Sequence, residues 1–177
     1  MKKIYKLLLT LGLSLSLLIP TSAFAATISD SSPYQFQVKG GTEEWSKFTT
    51  HDEMLASTQI PEDKLKKMST EALLATALDY PLFGDIYAYN SIEEGIKAVA
   101  KQFNGFSELF NRKDAGDVII KEYKSLNISS INQKKTNSEK GESIAKLKFI
   151  EELLNNDDII SLTDAQKKVI NNELSQK

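Results

Sequence analysis

The chain has 177 residues, and its 22 basic and 24 acidic side chains give a formal net charge of −2 at pH 7. Acids and lysines are interspersed along the sequence instead of forming blocks, so the charge pattern predicts neither nucleic-acid binding nor attachment to an anionic membrane. The absence of cysteine excludes disulfides, thiol nucleophiles and thiolate metal sites, so stability has to come from helix packing.

The first 25 residues have the three parts of a secretory signal peptide. A start with three lysines precedes an apolar stretch of thirteen residues, Leu7–Ile19, and the motif Ala23–Ala25 fits a signal-peptidase site. The stretch is shorter than the roughly twenty apolar residues of a transmembrane helix. We therefore expect cleavage after Ala25 and a secreted or extracytoplasmic protein without a transmembrane segment. An uncleaved membrane anchor is the alternative.

Residues 26–44 predict an extended or flexible N-terminal arm, because serine, threonine and glycine are frequent there. Within the arm Tyr34, Phe36 and Val38 alternate with two glutamines, which is the period of a strand, and the alternation ends at Gly40–Gly41. A single short strand has no obvious partner. We therefore interpret these residues as an arm that lies on the helices.

From residue 45 to residue 177 the signals are helical and predict one all-α domain. The succession of short helices fits either an irregular multi-helix bundle or a short α-solenoid, with Trp45 closing one end of the core. A polar segment at about 127–141 predicts a mobile linker or a long loop. Three helix starts are marked by capping boxes, Thr50 with Glu53, Ser91 with Glu94, and Thr163 with Gln166.

The helix that follows Ser91 has the narrowest apolar stripe, with Ile96 at its centre. Asn104–Gly105 is predicted to end this helix, because both residues tolerate a left-handed C-cap. Asp114 is predicted to cap a later helix. Two further stripes are Ile144, Leu147, Ile150, Leu153 and Leu154 in one helix, and Val169, Ile170 and Leu174 in the last.

The stretch Ile60–Asn90 has the most consistent helix signals in the chain. Ser69 is placed as an N-cap, and Met68 and Leu73 occupy the two ends of a hydrophobic staple. Pro81 is expected to stop that helix and to open the next one, where its missing N–H has no cost.

Polar and aromatic residues concentrate in the second of these helices and define one candidate binding patch, Tyr80, Asp85, Tyr87, Tyr89 and Asn90. In an α-helix Asp85 and Tyr89 share an edge, and the phenol is expected to donate to the carboxylate. Two interpretations are open: a recognition surface, where tyrosine is favoured, or scaffold rings that pack inward. We favour the scaffold interpretation, because the same residues complete the apolar stripe.

His51 is the only histidine and follows the cap residue Thr50, so it predicts a surface histidine at a helix start rather than a member of a catalytic triad. One histidine without cysteine leaves too few ligands for zinc. Asp157 and Asp158 lack the spacing of an EF-hand loop and are interpreted as helix-capping acids. We predict no catalytic residue, no metal site and no cofactor.

Four strings carry a resemblance to known proteins: MSTEAL at Met68–Leu73, YPL at Tyr80–Leu82, DIYAYN at Asp85–Asn90 and FNGFSELFNRKDAG at Phe103–Gly116. Through them the chain resembles, over about residues 45–177, a family of uncharacterised exported bacterial proteins with an all-helical domain. The resemblance implies export and an α fold. It implies no catalytic or binding residue, because no activity is established for that family.

The first functional hypothesis is a secreted helical binding module whose partner is an unknown protein or a component of the cell envelope, because no set of nucleophile and base is recognisable. The second is an unfamiliar hydrolase that uses carboxylates, with Asp79 or Asp85 beside a tyrosine. The third is a small inhibitor or immunity-type protein. We expect binding rather than catalysis.

Overall fold

The computed structural model describes residues 29–126, 131–134 and 136–174. The predicted signal peptide, residues 1–25, lies outside the described residues. Over the described ranges the fold is all-α, as predicted, and the only β-type pairing there is an isolated bridge between Asp30 and Met68.

Eight α-helices and two 3-10 helices have defined bounds within the described ranges, where residues 131–132 are helical as well. The helices are α1 His51–Ser57, α2 Glu62–Leu65, α3 Thr70–Leu78, α4 Ile92–Gln102, α5 Asn104–Asn111, α6 Ala115–Ser125, α7 Asn137–Asn155 and α8 Asp164–Leu174, with a first 3-10 helix at Trp45–Lys47 and a second at Phe83–Ala88. Because α3 packs against both α5 and α6, and α4 against α7, the arrangement is an irregular bundle around one core rather than a solenoid.

Side-chain caps start several helices as predicted, because each satisfies a backbone N–H that has no partner within the helix. Thr50 Oγ1 accepts from Glu53 N at 3.3 Å while Glu53 accepts from the Thr50 amide, so the first capping box is complete. The box of Thr163 and Gln166 is complete as well. Ser69 and Ser91 accept from the amides three residues later, each at 3.1 Å. The predicted box of Ser91 and Glu94 is only half formed, because the Glu94 carboxylate accepts from the Asn90 side chain instead.

Two predicted helix caps are wrong, although α6 does begin directly after Asp114. Asn104 opens α5 instead of ending α4, and its side chain bonds both backbone groups of Ile60, at 3.0 and 2.7 Å. Gly105 is required by packing rather than by a left-handed cap, because a Cβ there would lie 2.3 Å from the ring of Phe103. Asp114 makes no capping bond, because its carboxylate accepts from the Thr70 hydroxyl at 2.7 Å.

The predicted linker, about 127–141, is too long at its C-terminal end. Helix α7 begins at Asn137, and Thr136 and Glu139 form a complete capping box at its start. The motif T-x-x-E at these positions is the same signal that correctly marked α1, so the sequence did contain the true helix start. Residues 127–130 and 135, which also belong to the predicted linker, lie outside the described residues.

Residues 29–39, the described part of the arm, lie along α3. Asp30 exchanges backbone hydrogen bonds with the segment before α3, donating to Lys67 O and accepting from Ser69 N. Further along, Tyr34 N donates to the hydroxyl of Thr76 at 2.8 Å, and the ring of Phe36 is buried in the core. The alternation of apolar and polar residues therefore arises because one side of this segment packs on the helices, and the segment forms no strand.

The core is centred on stacked aromatic rings. The rings of Tyr80 and Phe103 lie parallel, with centroids 3.9 Å apart, and Phe106 packs edge-on to both. Phe149 of α7 contacts Phe106, and Phe36 of the arm contacts Tyr80 and Phe103. The cluster thus joins the arm, the end of α3, the junction of α4 and α5, and α7.

The apolar stripes are partly misplaced by the sequence analysis. Ile96 is fully buried, as expected. In α7, however, Ile144 is 48% exposed, and Phe149, which was not predicted, is fully buried. Only the C-terminal half of α7 contributes buried residues, so the first turns extend past the core. Val169 of α8 is also partly exposed, while its neighbour Ile170 is buried.

The isoleucines at 96 and 144 form a matched pair for testing this packing, because both lie within helices and differ in burial. We expect Ile96→Ala to lower the free energy of unfolding by about 3 kcal/mol, since it removes buried methylenes and leaves a cavity. Ile144→Ala should change it by less than about 0.5 kcal/mol. Denaturant midpoints of the two variants and the wild type measure both effects. Equal losses in the free energy of unfolding would contradict the assignment of Ile96 to the buried face and Ile144 to the exposed face.

Candidate binding groove

An open groove of about 520 Å³ lies where the arm, the end of α3, the second 3-10 helix and the first turns of α7 meet. It exists because α3 stops at Leu78 and Pro81, which cannot donate to a continuing helix, redirects the chain. Its volume is within the range of small-ligand sites, about 300 to 1,000 Å³. The groove is thus a direct consequence of the helix break that the sequence marks at Tyr80–Pro81.

Four charged side chains line the groove and neutralise one another in two ion pairs. Lys39 Nζ of the arm lies 2.7 Å from Asp79 Oδ2 at the end of α3. Lys146 Nζ lies 2.6 Å from Glu142 Oε1 one helical turn away in α7. Each pair is partly exposed, so its contribution to stability is small. The charges of these four groups sum to zero, so the charged side chains of the groove give it no net charge.

Tyr87 forms one wall of the groove and joins two elements. Its hydroxyl donates to the backbone carbonyl of Ala145 at 2.7 Å, which ties the second 3-10 helix to α7. The residue is 42% exposed, and its ring centroid lies 6.4 Å from that of Phe83. Partial burial raises the pKa of the Tyr87 phenol above its ordinary value, so the group stays a neutral donor at neutral pH.

Tyr80 also borders the groove, but its ring belongs to the core. Only 3% of the residue is exposed, and its ring is stacked on Phe103. Burial raises the pKa of the Tyr80 phenol, and the Thr58 hydroxyl at 3.5 Å partly opposes that shift. A ligand in the groove therefore meets the rim of this ring and not its face.

Three glycines line the groove, and neither the backbone nor the packing requires glycine at any of them. A Cβ added at Gly40, Gly84 or Gly141 would have no neighbour within 4 Å, and none of the three has a positive φ. By contrast, a Cβ at Gly95 would lie 1.9 Å from the carbonyl oxygen of Ile86. In a helix such as α7, glycine costs about 0.5–1 kcal/mol relative to alanine. What the three glycines provide is open space.

The structure separates the five residues of the predicted patch. Tyr80 and Tyr87 line the groove, whereas Asp85, Tyr89 and Asn90 do not. The predicted bond between Asp85 and Tyr89 is absent, because the segment is a 3-10 helix with three residues per turn and Tyr89 is extended at its end. The Asn90 amide lies on the surface and donates to Glu94 at 3.4 Å.

Asp85 is instead bound to the histidine. Oδ2 of Asp85 lies 2.7 Å from Nε2 of His51, which is the first residue of α1, as expected, and is half-exposed. The pair ties α1 to the second 3-10 helix. In the part of the chain that the structure describes, the imidazole makes no hydrogen bond to a serine or threonine hydroxyl, so the pair lacks the nucleophile of a triad.

Asp157 and Asp158 do not cap a helix. Asp157 pairs with Lys167 of α8 at 2.5 Å, and the turn is closed by Asn156, whose side chain accepts from the Asp158 amide. Within the described ranges, no group of three histidine or acidic side chains is placed to hold a metal ion.

Most residues of the groove were not predicted from the sequence. Glu142 and Lys146 carry the local signal of an ion pair, opposite charges four residues apart. Lys39 and Asp79 carry none, because they are separated by 40 residues and meet only through the packing of the arm on α3. The three groove glycines carry no local signal of a shared site, because the space that they border is formed only in the fold.

Comparison of the chain with protein-family models, with curated proteins and with solved structures gives no match. Over the described ranges, every helix is too short or too polar to cross a membrane. The groove is therefore assigned from the geometry and chemistry of this chain alone.

Tyr87 and Tyr89 are equally exposed and differ in one hydrogen bond, which makes them a matched pair. Tyr87→Phe should lower the free energy of unfolding by about 1 kcal/mol, because the carbonyl of Ala145 loses its second donor. Tyr89→Phe should leave stability within about 0.3 kcal/mol of the wild type. Urea unfolding monitored by circular dichroism measures both, and a Tyr89 variant that is the less stable of the two would contradict the assignment.

Alanine substitution distinguishes a glycine that packing requires from one that it does not. Gly141→Ala should stabilise the protein by about 0.5–1 kcal/mol, because α7 gains a better helix former without a clash. Gly95→Ala should destabilise it by about 2 kcal/mol or more, because the new methyl group meets the backbone of Ile86. The melting temperatures of the two variants should move in opposite directions, and a destabilised Gly141→Ala would contradict this interpretation.

Proposed function

We propose that this protein is a secreted helical binding module and that the groove is its ligand site. The observation that carries the proposal is the set of three glycines, Gly40, Gly84 and Gly141, which lie on three separate elements and border the same space. None of them is required by the fold, and the one in α7 lowers helix stability. A residue that lowers stability without a compensating structural role is typical of a functional position.

The composition of the walls supports binding as well. The groove combines a half-exposed tyrosine, a partly buried phenylalanine and a few polar groups, which is the usual make-up of a small-ligand site. Tyr87 is held in place by its bond to Ala145, so little side-chain entropy is lost when a ligand packs against the ring.

The two alternatives have less support. For a carboxylate hydrolase, Asp79 and Asp85 are each engaged by a cation or imidazole, and only Asp79 borders the groove. For an inhibitor or immunity-type protein, the expected feature is a broad interface of about 800 Å² on each partner. The concave groove of about 520 Å³ is on the scale of a small ligand or a chain segment instead.

The proposed site of action follows from the sequence. Residues 1–25 read as a signal peptide, and the chain resembles exported all-helical proteins, so the ligand is proposed to be met outside the cytoplasm, at or beyond the cell envelope.

Filling the groove tests the proposal. Gly141→Gln places a flexible neutral side chain in the open space and replaces glycine by a better helix former in α7. Residues 26–177, purified as wild type and variant, are mixed with cell-envelope fragments of the producing organism, and the fraction that cosediments is measured. We expect Gly141→Gln to weaken the association about tenfold or more.

Ser138→Gln is the matched control, because Ser138 is an exposed residue of the same helix that does not line the groove. It should bind and melt like the wild type, whereas Gly141→Gln should melt at the wild-type temperature or slightly above it, because glutamine is a better helix former than glycine. Undiminished binding by a folded Gly141→Gln variant would refute the groove as the ligand site.

A further inference from the structure

We infer that the groove binds an uncharged polyhydroxylated chain, that is, a segment of a neutral glycan. The inference rests on the proposed function, because it names the chemical class of ligand for the same groove. Three properties of the walls lead to it: the pairing of their charges, their remaining hydrogen-bond capacity and the position of their aromatic rings.

The charges of the groove disfavour a charged ligand. Lys39 is neutralised by Asp79 and Lys146 by Glu142, with contacts of 2.7 and 2.6 Å. A carboxylate or phosphate ligand has to compete with Asp79 or Glu142 for its cation, and an ammonium ligand has to compete with a lysine. A neutral ligand leaves both pairs intact and avoids that competition.

The same four groups still offer both donors and acceptors. A lysine ammonium carries three N–H donors and a carboxylate about four acceptor sites, and each pair here uses a single close contact between its two partners. The hydroxyl group, which donates and accepts at once, is the ligand group that suits both halves of such a pair. A sugar presents several hydroxyls on each ring, at spacings comparable to those between neighbouring side chains.

The aromatic wall supplies the apolar contact. Phe83 is partly buried and Tyr87 is 42% exposed, and their rings contact each other along one side of the groove. The hydroxyl of Tyr87 is already bonded to Ala145, so the ring offers its apolar body in a fixed position. A sugar ring has an apolar C–H face that packs on such a surface, and Gly84 leaves space beside the wall.

An extended peptide fits these walls less well. Peptides that bind by strand addition pair their backbone with an exposed sheet edge, and the groove is bordered by helices and a turn. The carbonyl of Ala145, which faces the groove, already accepts from Tyr87.

A titration with defined tetrasaccharides tests the inference. The neutral probes are cellotetraose, maltotetraose and the tetramer of N-acetylglucosamine; the cationic probe is the tetramer of glucosamine and the anionic probe is tetragalacturonic acid. Binding is followed by two-dimensional ¹H–¹⁵N NMR, in which the amides of Gly40, Gly84 and Gly141 report from the three sides of the groove.

We expect at least one neutral probe to bind with a Kd below about 5 mM and to shift these three glycine amides. Its affinity should stay constant between about 50 and 500 mM salt, because no net charge is neutralised. The charged probes should bind about tenfold more weakly or not at all. Gly141→Gln should abolish the shifts, and Ser138→Gln should retain them.

The inference is overturned if a charged probe binds more tightly than every neutral one, if the shifts lie away from the groove, or if no neutral probe binds at about 5 mM. When no neutral probe binds but Gly141→Gln still releases the protein from envelope fragments, the glycan class is wrong and the groove remains the ligand site. When Gly141→Gln releases nothing, the proposed function is wrong too.

A competition experiment identifies the source of the glycan. Displacement of the protein from the fragments by the bound tetrasaccharide identifies an envelope glycan, and binding without displacement identifies a free oligosaccharide. Both results support the inferred class.

Discussion

The stacked rings of Tyr80 and Phe103 are the contact on which the rest of the structure depends. Tyr80 ends the α3 region and Phe103 is the junction of α4 and α5, so their stacking fixes three helices relative to one another. Phe106 and Phe149 extend the cluster to α7. With no disulfide available, the burial of these rings is the main source of rigidity at the centre of the bundle.

The groove is positioned by the same cluster from two sides. Phe36 inserts into it from the arm, and three residues later Lys39 reaches Asp79, so the arm wall is fixed by a buried ring rather than by its surface ion pair. On the other side, the ring of Phe83 packs edge-on against Phe149, which sets the second 3-10 helix against α7. The floor of the groove is therefore formed by the core, and its polar rim is exposed to solvent.

Local features of this fold could be predicted from the sequence, and features that join distant residues could not. The caps at Thr50, Ser69 and Ser91 follow from patterns within four residues, and the structure contains all of them. The partner of Asp85 is His51, which is 34 residues away, and no local spacing identifies it. The misplaced partner, Tyr89, followed from assuming 3.6 residues per turn where the chain takes three.

The glycines differ in whether the backbone or the packing requires them, and only the structure reveals that difference. From the sequence alone Gly40–Gly41 is interpreted as the end of an alternating segment and Gly105 as part of a C-cap. The structure divides the glycines it describes by physical need: Gly41 has a φ of 86°, and a Cβ at Gly95, Gly105 or Gly116 would lie 1.9, 2.3 or 2.9 Å from a neighbouring atom. The remaining three satisfy no need of the backbone or the packing, and all three border one groove. Natural proteins are rarely at their stability optimum, so one unneeded glycine carries little weight. Three of them on separate elements around a single space carry more weight together, and this coincidence is the reason why the groove is proposed as the ligand site.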